Sequence, residues 1–331
     1  MNNVITETRV DAETGEWRLS APRRAERPDD ARPTSVGCPF CPGHEDQTPP
    51  ERMRLPAGDG PWQVRAFANK FPIVSPAGTD GSTATGLFSR FPATGDHEVL
   101  VESPEHDWDL RFASTEKALE VLLGLRERAR ALAAGRPAAV VVFRNYGAAA
   151  GASLRHPHSQ LVALDQAPPG LAARWRLARG HYADTGRRLV DDLAAAERGT
   201  GERIVADNGV LVYQPYAASV PQQTVLFPDD GRGSLADATD DGLAAVARTL
   251  PALLRGLAEV LGDPAYNLVV HAGPSDVDAR ELARWCQWHV EIFPRTTTFA
   301  GLELATGLLV NPSRPEETAP ELAKAMSAAG R

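Results

Sequence analysis

The 331-residue sequence lacks three features that mark large classes of proteins. It has no cluster of lysine and arginine, and its formal net charge of −8 argues against nucleic acid as a partner, because phosphate backbones are bound by basic surfaces. It has no apolar run of the roughly 18–20 residues that are needed to cross a bilayer. Residues 1–5 lack the basic and apolar regions of a signal peptide. We therefore expect a cytoplasmic protein that binds neither nucleic acid nor membranes.

Cysteine is also scarce, with only Cys38, Cys41 and Cys286, too few for a disulfide scaffold in a chain of this size. Cys38 and Cys41 form a C-x-x-C motif, which in a cytosolic protein indicates metal or redox chemistry. Zinc in structural sites prefers four thiolate and imidazole ligands, so histidine would have to complete such a site, and His44 is the nearest. A redox pair and two thiols without metal are the alternatives.

The order of the predicted elements indicates an α+β fold. The strands predicted in the first part of the chain are 62–68, 97–102, 138–144 and 160–164, and the helices are 115–134 and 170–198. In the second part we predict strands 203–206, 210–213, 223–227, 266–271 and 287–293, and helices 240–261 and 315–326. Residues 18–60 are rich in Pro, Gly, Asp and Arg, which predicts an irregular arm. Between 206 and 210, Asp207-Asn208-Gly209 is a strong hairpin signal.

The two parts repeat one order of elements. In each, a long helix leads to a strand, and a loop then leads to a second strand that carries histidine. Repetition in a fixed order indicates duplication. We therefore predict two related halves, residues 1–195 and 196–331, that form a mostly antiparallel sheet with helices packed outside.

The loop that precedes the histidine-bearing strand of the first half carries small and polar residues. Gly147 and Gly151 let the backbone approach an anion closely, while Asn145 and Ser153 add hydrogen-bond donors without adding charge. The loop is therefore a candidate phosphate-binding segment.

That loop leads into His156-Pro157-His158-Ser159-Gln160. A neutral imidazole is a competent nucleophile toward phosphorus, which makes His158 a candidate catalytic residue. Gln160 can donate a hydrogen bond to a phosphoryl oxygen in the transition state without competing as a nucleophile. Pro157 restricts the backbone between the two histidines and sets them in a fixed relation. A pair of histidines in a surface turn is the plain structural alternative.

These motifs resemble the galactose-1-phosphate uridylyltransferase branch of the histidine-triad superfamily. That branch carries Asn-x-Gly, Gly-x-Ser and His-Pro-His-x-Gln, all of which occur here in order. The resemblance extends over most of the chain and implies two fused histidine-triad-like halves. It also implies a homodimer and a nucleotide carried on His158. The stretch from 291 to 312 looks closer to ADP-sugar phosphorylase-like members than to the sugar-exchange enzymes.

The resemblance also assigns roles to residues outside that motif. It implies that Arg24 and Arg27 contact the phosphates and that Asn69 contacts the nucleotide. It implies zinc as the cofactor, and its ligands would be Cys38, Cys41, His106 and His156. His44 would then not be a ligand, although it is the nearest histidine to the C-x-x-C motif.

Some members hold a second metal in the second half, and here the chain departs from their pattern. Glu291 stands where the second histidine of a His-x-His is expected, and residues 167–170 offer no glutamate. We therefore predict no second metal. The sequence fits His271 and His289 equally well as internal, hydrogen-bonded histidines and as metal ligands.

The favoured hypothesis is an enzyme that transfers a nucleoside monophosphate from a nucleoside diphosphate sugar to a hexose 1-phosphate through His158. The first alternative is a nucleotide-sugar phosphorylase that uses inorganic phosphate as the acceptor. A zinc-stabilised nucleotide-binding module without catalysis is the alternative from another class. A redox protein acting through Cys38 and Cys41 is disfavoured, because no thioredoxin-like βαβ pattern surrounds them.

Overall fold

The computed structural model describes residues 6–26, 37–76 and 81–329. Within these ranges the chain forms two antiparallel sheets, seven α-helices and short 3₁₀ turns. The strands are β1 (Glu7–Val10), β2 (Trp17–Ser20), β3 (Glu51–Leu55), β4 (Val64–Ala68), β5 (Thr83–Thr85), β6 (Phe88–Pro92), β7 (Gly95–Val101), β8 (Ala139–Tyr146), β9 (His158–Leu164), β10 (Ile204–Asp207), β11 (Val210–Tyr213), β12 (Thr224–Pro228), β13 (Tyr266–His271) and β14 (His289–Pro294). The helices are α1 (Thr115–Ala133), α2 (Pro169–Thr185), α3 (Leu189–Thr200), α4 (Asp240–Leu261), α5 (Ala279–Trp285), α6 (Gly301–Thr306) and α7 (Pro315–Ala329).

The larger sheet has ten strands in the order β3-β4-β7-β9-β8-β13-β14-β12-β11-β10. Its central pair, β8 and β13, is antiparallel and sets Asn145 opposite Asn267. Four strands lie on each side of this pair, and from the centre outward the two sides follow the same order along the chain, as expected of two related halves. The boundary at 195 stays a prediction, and α3 runs across it.

Helices α1 and α4 cover one face of this sheet. The side chain of Ser114 caps the start of α1 and that of Thr239 caps the start of α4, where each accepts a main-chain N–H that the helix leaves unpaired. Their apolar sides pack on inward residues of the central strands, such as Leu100 and Leu161, in one continuous core. Because side chains alternate along a strand, the next residues in each strand point to the opposite face. That opposite face carries the candidate site.

Most of the predicted elements are present, and α4 has the predicted bounds. The predicted α+β class with a mostly antiparallel sheet is confirmed. The predicted helix 170–198 is wrong as a single element, because Gly186 has φ 71° and ends α2 in the left-handed conformation, after which α3 begins. The predicted irregular arm, residues 18–60, is not irregular throughout, because it includes most of β2 and all of β3.

The smaller sheet, in the order β2-β1-β6-β5, lies outside the ten-stranded one. The ladder between β1 and β6 continues past the ends of both strands, where the N–H of Ala93 donates to the carbonyl of Thr6 at 3.1 Å. Among the helices of the described ranges, none combines the length and the apolar character that a membrane span requires.

Candidate functional site

Two cysteines and two histidines meet beside the end of β7. Cys41 Sγ lies 3.5 Å from His106 Nδ1 and 3.6 Å from His156 Nδ1, and Cys38 Sγ lies 3.7 Å from His156 Nδ1. One donor atom from each of the four residues falls within 4.8 Å of every other. Four soft and borderline donors at such mutual distances could hold one metal ion.

The surroundings of this cluster orient its members. His156 is fully buried, and its Nε2–H donates to the carbonyl of Ser103 at 2.8 Å, which leaves the lone pair of Nδ1 facing the sulfurs. Burial lowers the pKa of His156 to about 4 and raises the pKa of the Cys38 thiol to about 11. His44 lies outside the cluster, and its Nδ1 bonds to the carbonyl of Cys38 at 2.7 Å. The cluster thus contains the residues that the family resemblance implied, and not the nearest histidine.

His158 is the first residue of β9, two residues after His156, and is largely buried. A carbonyl oxygen can only accept, so His158 Nδ1–H donates to the carbonyl of His156 at 2.8 Å and the lone pair of the ring lies on Nε2. The ring of Phe40 packs edge-on against both imidazoles, with centroid distances of 5.3 Å to His158 and 6.0 Å to His156. The arrangement gives His158 a defined tautomer with one nucleophilic nitrogen.

Gln160 lies on the same face of β9 as His158 and bonds to a histidine that the sequence analysis did not single out. His97 Nε2 is 3.0 Å from Gln160 Oε1 and 3.1 Å from Asn69 Nδ2. Asn69 follows β4, and its side-chain oxygen accepts the N–H of Phe71 at 2.8 Å. The signal in the sequence that could have identified His97 was its place inside a predicted strand, because a polar ring that is buried in a sheet requires a hydrogen-bond partner.

Asn145 is the second-to-last residue of β8, at the centre of the sheet, and the loop to β9 follows it. Asn267 Nδ2 donates to Asn145 Oδ1 and to the carbonyl of Ala150, both at 2.9 Å. Gly151 has φ 82°, a conformation that disfavours any side chain, and Ser153 is half-buried two residues later. The predicted phosphate-binding loop is thus held at one end by β13 and leads at the other end to His156 of the cysteine–histidine cluster.

The arginines predicted to contact phosphates lie near the chain start. Arg24 is in a 3₁₀ turn, Pro22–Glu26, and its Nη1 donates to the carbonyl of Phe71 at 3.1 Å. Phe71 also bonds to Asn69, so the turn adjoins the predicted nucleotide-contacting segment. Arg27 lies outside the described residues.

The histidines of the second half form a polar cluster on the same face of the sheet. Arg174, from α2, donates to His271 Nδ1 and to His289 Nε2, both at 2.9 Å. The Nε2–H of His271 donates to Glu291 Oε2 at 2.6 Å, and Gln223 holds the other oxygen of that carboxylate. Burial lowers the pKa of His289 to about 3. Both rings therefore use their lone pairs to accept from a guanidinium, as internal, hydrogen-bonded histidines do.

Beneath the site, on the helix-covered face, lies a buried ion pair that the sequence analysis also missed. Arg144 Nε bonds to both carboxylate oxygens of Glu102 at 3.0 Å, and Ser159 Oγ donates to the same carboxylate at 2.7 Å. The N–H of Glu102 donates to the carbonyl of Pro157 at 3.0 Å. The backbone on either side of His158 is thus anchored to one residue.

Comparison with known proteins places these features in a family. Residues 1–168 match the family model described as the N-terminal domain of galactose-1-phosphate uridyl transferase. ADP-glucose phosphorylase of Arabidopsis thaliana is 29% identical over 96% of this chain and 93% of its own length. Galactose-1-phosphate uridylyltransferase of Haemophilus influenzae is 27% identical over 84% of this chain and 81% of its own.

Solved structures agree with the sequence comparison. A uridylyltransferase structure superposes with a TM-score of 0.81 at 29% identity, covering 97% of this chain and 99% of that one. The structure of the Arabidopsis thaliana ADP-glucose phosphorylase with bound ADP-glucose has a TM-score of 0.77 at 29% identity, covering 96% and 98%. The shared fold thus extends over nearly the whole of each chain.

Proposed function

The chain belongs to the galactose-1-phosphate uridylyltransferase family, and from this we propose that it transfers a nucleoside monophosphate from a nucleoside diphosphate sugar to a hexose 1-phosphate, with His158 as the carrier. The observation that carries the proposal is the tautomer of His158. Its Nδ1 is tied to the carbonyl of His156, so the lone pair of Nε2 is the reactive group. Burial beside Phe40 keeps the ring in one orientation.

The reaction has two half-reactions. In the first, the lone pair of His158 Nε2 attacks the α-phosphorus, an N–P bond forms, the bond from that phosphorus to the bridging oxygen breaks, and sugar 1-phosphate leaves. In the second, a phosphate oxygen of the acceptor attacks the same phosphorus and the N–P bond breaks. The imidazole is thereby returned to its starting state, which predicts ping-pong kinetics.

The neighbouring side chains are assigned to binding. Gln160 would donate to an α-phosphoryl oxygen as charge develops there, and Asn69 would contact the nucleoside. Arg24 and Arg27 would contact the sugar phosphate, because a guanidinium matches phosphate geometry. Three loop residues would supply further polar contacts and close approach to the phosphates: Asn145, Gly151 and Ser153. The position of Gln160 two residues after His158, on the same face of β9, supports this assignment.

The ion held by the Cys38–Cys41–His106–His156 cluster is proposed to be zinc. A thiolate sulfur and an imidazole nitrogen bound to one tetrahedral zinc are about 3.5 Å apart, given bond lengths of about 2.3 and 2.0 Å. The three sulfur–nitrogen distances of 3.5–3.7 Å fit this spacing. The ion would supply structural cross-linking, and by holding His156 it would also fix the carbonyl that orients His158.

Inorganic phosphate is the second candidate acceptor. It is favoured by the relative named ADP-glucose phosphorylase, which is 29% identical over 96% of this chain, whereas galactose-1-phosphate uridylyltransferases that match 95–96% of this chain are 22–27% identical. The first half-reaction would be unchanged, and phosphate would release a nucleoside diphosphate from His158. The homodimer implied by the family stays a prediction.

The test is intact-mass measurement after incubation with ADP-glucose or UDP-glucose, alone and then with glucose 1-phosphate, galactose 1-phosphate or phosphate. We expect one nucleoside monophosphate adduct per chain, whose mass identifies the base, and its loss when the correct acceptor is added. The His158→Gly protein is the control and should carry no adduct. Tight nucleotide binding without an adduct in the wild-type protein would instead indicate a non-catalytic binding module.

A further inference from the structure

His97 connects two strands of the site. It lies on β7, between β4 and β9 in the sheet, and its side chain is buried, with 2% exposed. Its Nε2 contacts Gln160 Oε1 at 3.0 Å and Asn69 Nδ2 at 3.1 Å, and its Nδ1 lies 3.2 Å from the N–H of Ile73. One ring therefore contacts two side chains that the proposed function assigns to the nucleotide.

The main chain selects the tautomer of this ring. The N–H of Ile73 can only donate, so Nδ1 of His97 accepts and the proton of the neutral ring is on Nε2. Burial lowers the pKa of His97 to about 4; the charge of Arg24 acts in the same direction, while the Gln160 hydrogen bond and Asp96 oppose both. The ring is therefore neutral near pH 7, and its Nε2–H donates to Gln160 Oε1.

This hydrogen bond determines which end of the Gln160 amide is turned toward His97. A glutamine amide has an oxygen that accepts and a nitrogen that donates. With Oε1 held by His97, the donor end is turned away from that ring. A flipped amide would leave the buried Nε2–H of His97 facing the N–H₂ groups of both Gln160 and Asn69 with neither offering an acceptor, and it would offer oxygen to a negatively charged phosphoryl group. Both changes are unfavourable, because a buried donor would lose its acceptor and like charges would meet at the phosphoryl group, so His97 selects the orientation in which Gln160 can donate.

The main chain of His97 also holds Asn69. The N–H of Asn69 donates to the carbonyl of His97 at 2.7 Å. The Asn69 side chain has its oxygen on the N–H of Phe71, which sets Nδ2 3.1 Å from His97 Nε2. Both of these nitrogens are donors in this tautomer, so the acceptor for the Nε2–H is Gln160 Oε1. Main-chain groups of His97 and Phe71 thus fix the position and the orientation of the Asn69 side-chain amide.

We propose that His97 is a positioning residue, which uses its fixed Nε2–H to hold the Gln160 amide with the donor end available to the α-phosphoryl group. This inference rests on the proposed function, since it concerns the same reaction. It predicts that His97 acts through Gln160 and has no effect of its own on the reacting phosphorus.

The test is a double-mutant cycle on the single-turnover rate of nucleotide transfer from ADP-glucose to the protein. We expect His97→Phe and Gln160→Ala each to slow transfer about 10- to 100-fold, with KM changed less than about threefold, because only the transition-state contact is lost. His97→Phe should add no further loss in the Gln160→Ala background. His97→Gln, whose amide N–H₂ can replace the Nε2–H, should recover most of the rate.

A structural role would give a different pattern. Independent losses that multiply in the double variant, or no difference between His97→Phe and His97→Gln, would overturn the inference. Thr224→Ala is the matched control, because it removes another buried side-chain hydrogen bond, to the carbonyl of Gln222 at 2.9 Å in the second half. It should lower the melting temperature without slowing transfer.

A measurement that needs no turnover separates this inference from the proposed function. In ¹⁵N NMR spectra of the wild-type protein, His97 should be a single Nε2–H tautomer, and its Nε2 signal should shift in Gln160→Ala. A mixture of tautomers, or a signal that Gln160→Ala leaves unmoved, would overturn the inference even where transfer is observed. A wild-type protein that forms no adduct with any nucleotide sugar would instead overturn the proposed function.

Discussion

The side chain of His158 donates a hydrogen bond to the main-chain carbonyl of His156 at 2.8 Å. In an extended segment, residues two apart would face the same side, which would set both rings in one environment. β9 begins only at His158, so His156 lies before the strand and its Nδ1 faces the sulfurs of Cys38 and Cys41. Pro157 between them thus separates a ring directed at the cysteine sulfurs from a ring that we propose faces the substrate.

The first prediction concerns His158. His158→Gly should lower the rate of nucleotide transfer by at least about 1000-fold, because the attacking nitrogen is removed. Zinc content and melting temperature should stay near those of the wild type, since His158 is not in the metal cluster. A nucleotide imidazolide supplied in solution should restore the second half-reaction. His156→Ala is the contrasting variant and should lose metal and stability together. Wild-type turnover in His158→Gly would show that another residue carries the nucleotide.

The second prediction concerns the metal. We expect about one tightly bound zinc per chain, and Cys38→Ser should lose most of it together with several kcal/mol of unfolding free energy, on the order expected for a structural zinc site. Cys286→Ser is the control, because that thiol lies outside the cluster, and it should keep its zinc. Elemental analysis and thermal unfolding measure both effects. An undiminished zinc content in Cys38→Ser would contradict the ligand assignment.

The third prediction concerns the arginine turn. Arg24→Lys should raise KM for the nucleotide sugar about 10-fold, because lysine cannot form the paired hydrogen bonds that guanidinium makes to phosphate. Arg23→Lys is the matched control. Arg23 lies in the same 3₁₀ turn and is more exposed than Arg24, so it should tolerate the change. Arg27→Lys should resemble Arg24→Lys. Steady-state kinetics that do not distinguish Arg24→Lys from Arg23→Lys would leave the turn with a structural role only.

The fourth prediction concerns pH. The pKa of His97 is 6.5 in an unfolded chain and about 4 in the fold, so between these values the unfolded chain binds a proton that the folded chain does not. The contribution of His97 to stability is therefore complete above pH 6.5 and falls as the pH drops toward 4, by on the order of 2 kcal/mol at pH 5. Arg24 and Asp96 are the charged groups that act on this ring.

The measurement is the free energy of unfolding of wild type and His97→Gln at pH 7 and pH 5, both with zinc. Because glutamine does not titrate, the advantage of the wild type over the variant should shrink by about 2 kcal/mol between the two pH values. A difference that stays constant would mean that the buried ring keeps its ordinary pKa.

Local sequence determined the elements and the reactive motif. Periodic apolar residues and end signals predicted α1 and α4 closely, and the order of elements predicted the mostly antiparallel sheet. The role of the segment from His156 to Gln160 could be predicted from the residues alone. The nucleophilic imidazole and the glutamine that would donate to the phosphoryl group lie only two residues apart in the chain. The break at Gly186 was missed, since one glycine in a helical pattern is an ambiguous signal.

Tertiary structure decided the partners that are distant in the chain. Spacing alone favoured His44 beside Cys38 and Cys41; the family resemblance named His106 and His156, and the fold brings these two, 65 and 115 residues from Cys41, to its sulfur. The sequence showed only that His97 lies inside a predicted strand and did not identify its partner, because its contact with Gln160 depends on β7 and β9 being neighbours in the sheet. Strand order is set by packing of the whole sheet on its helices, so no local pattern specifies which side chains it brings together.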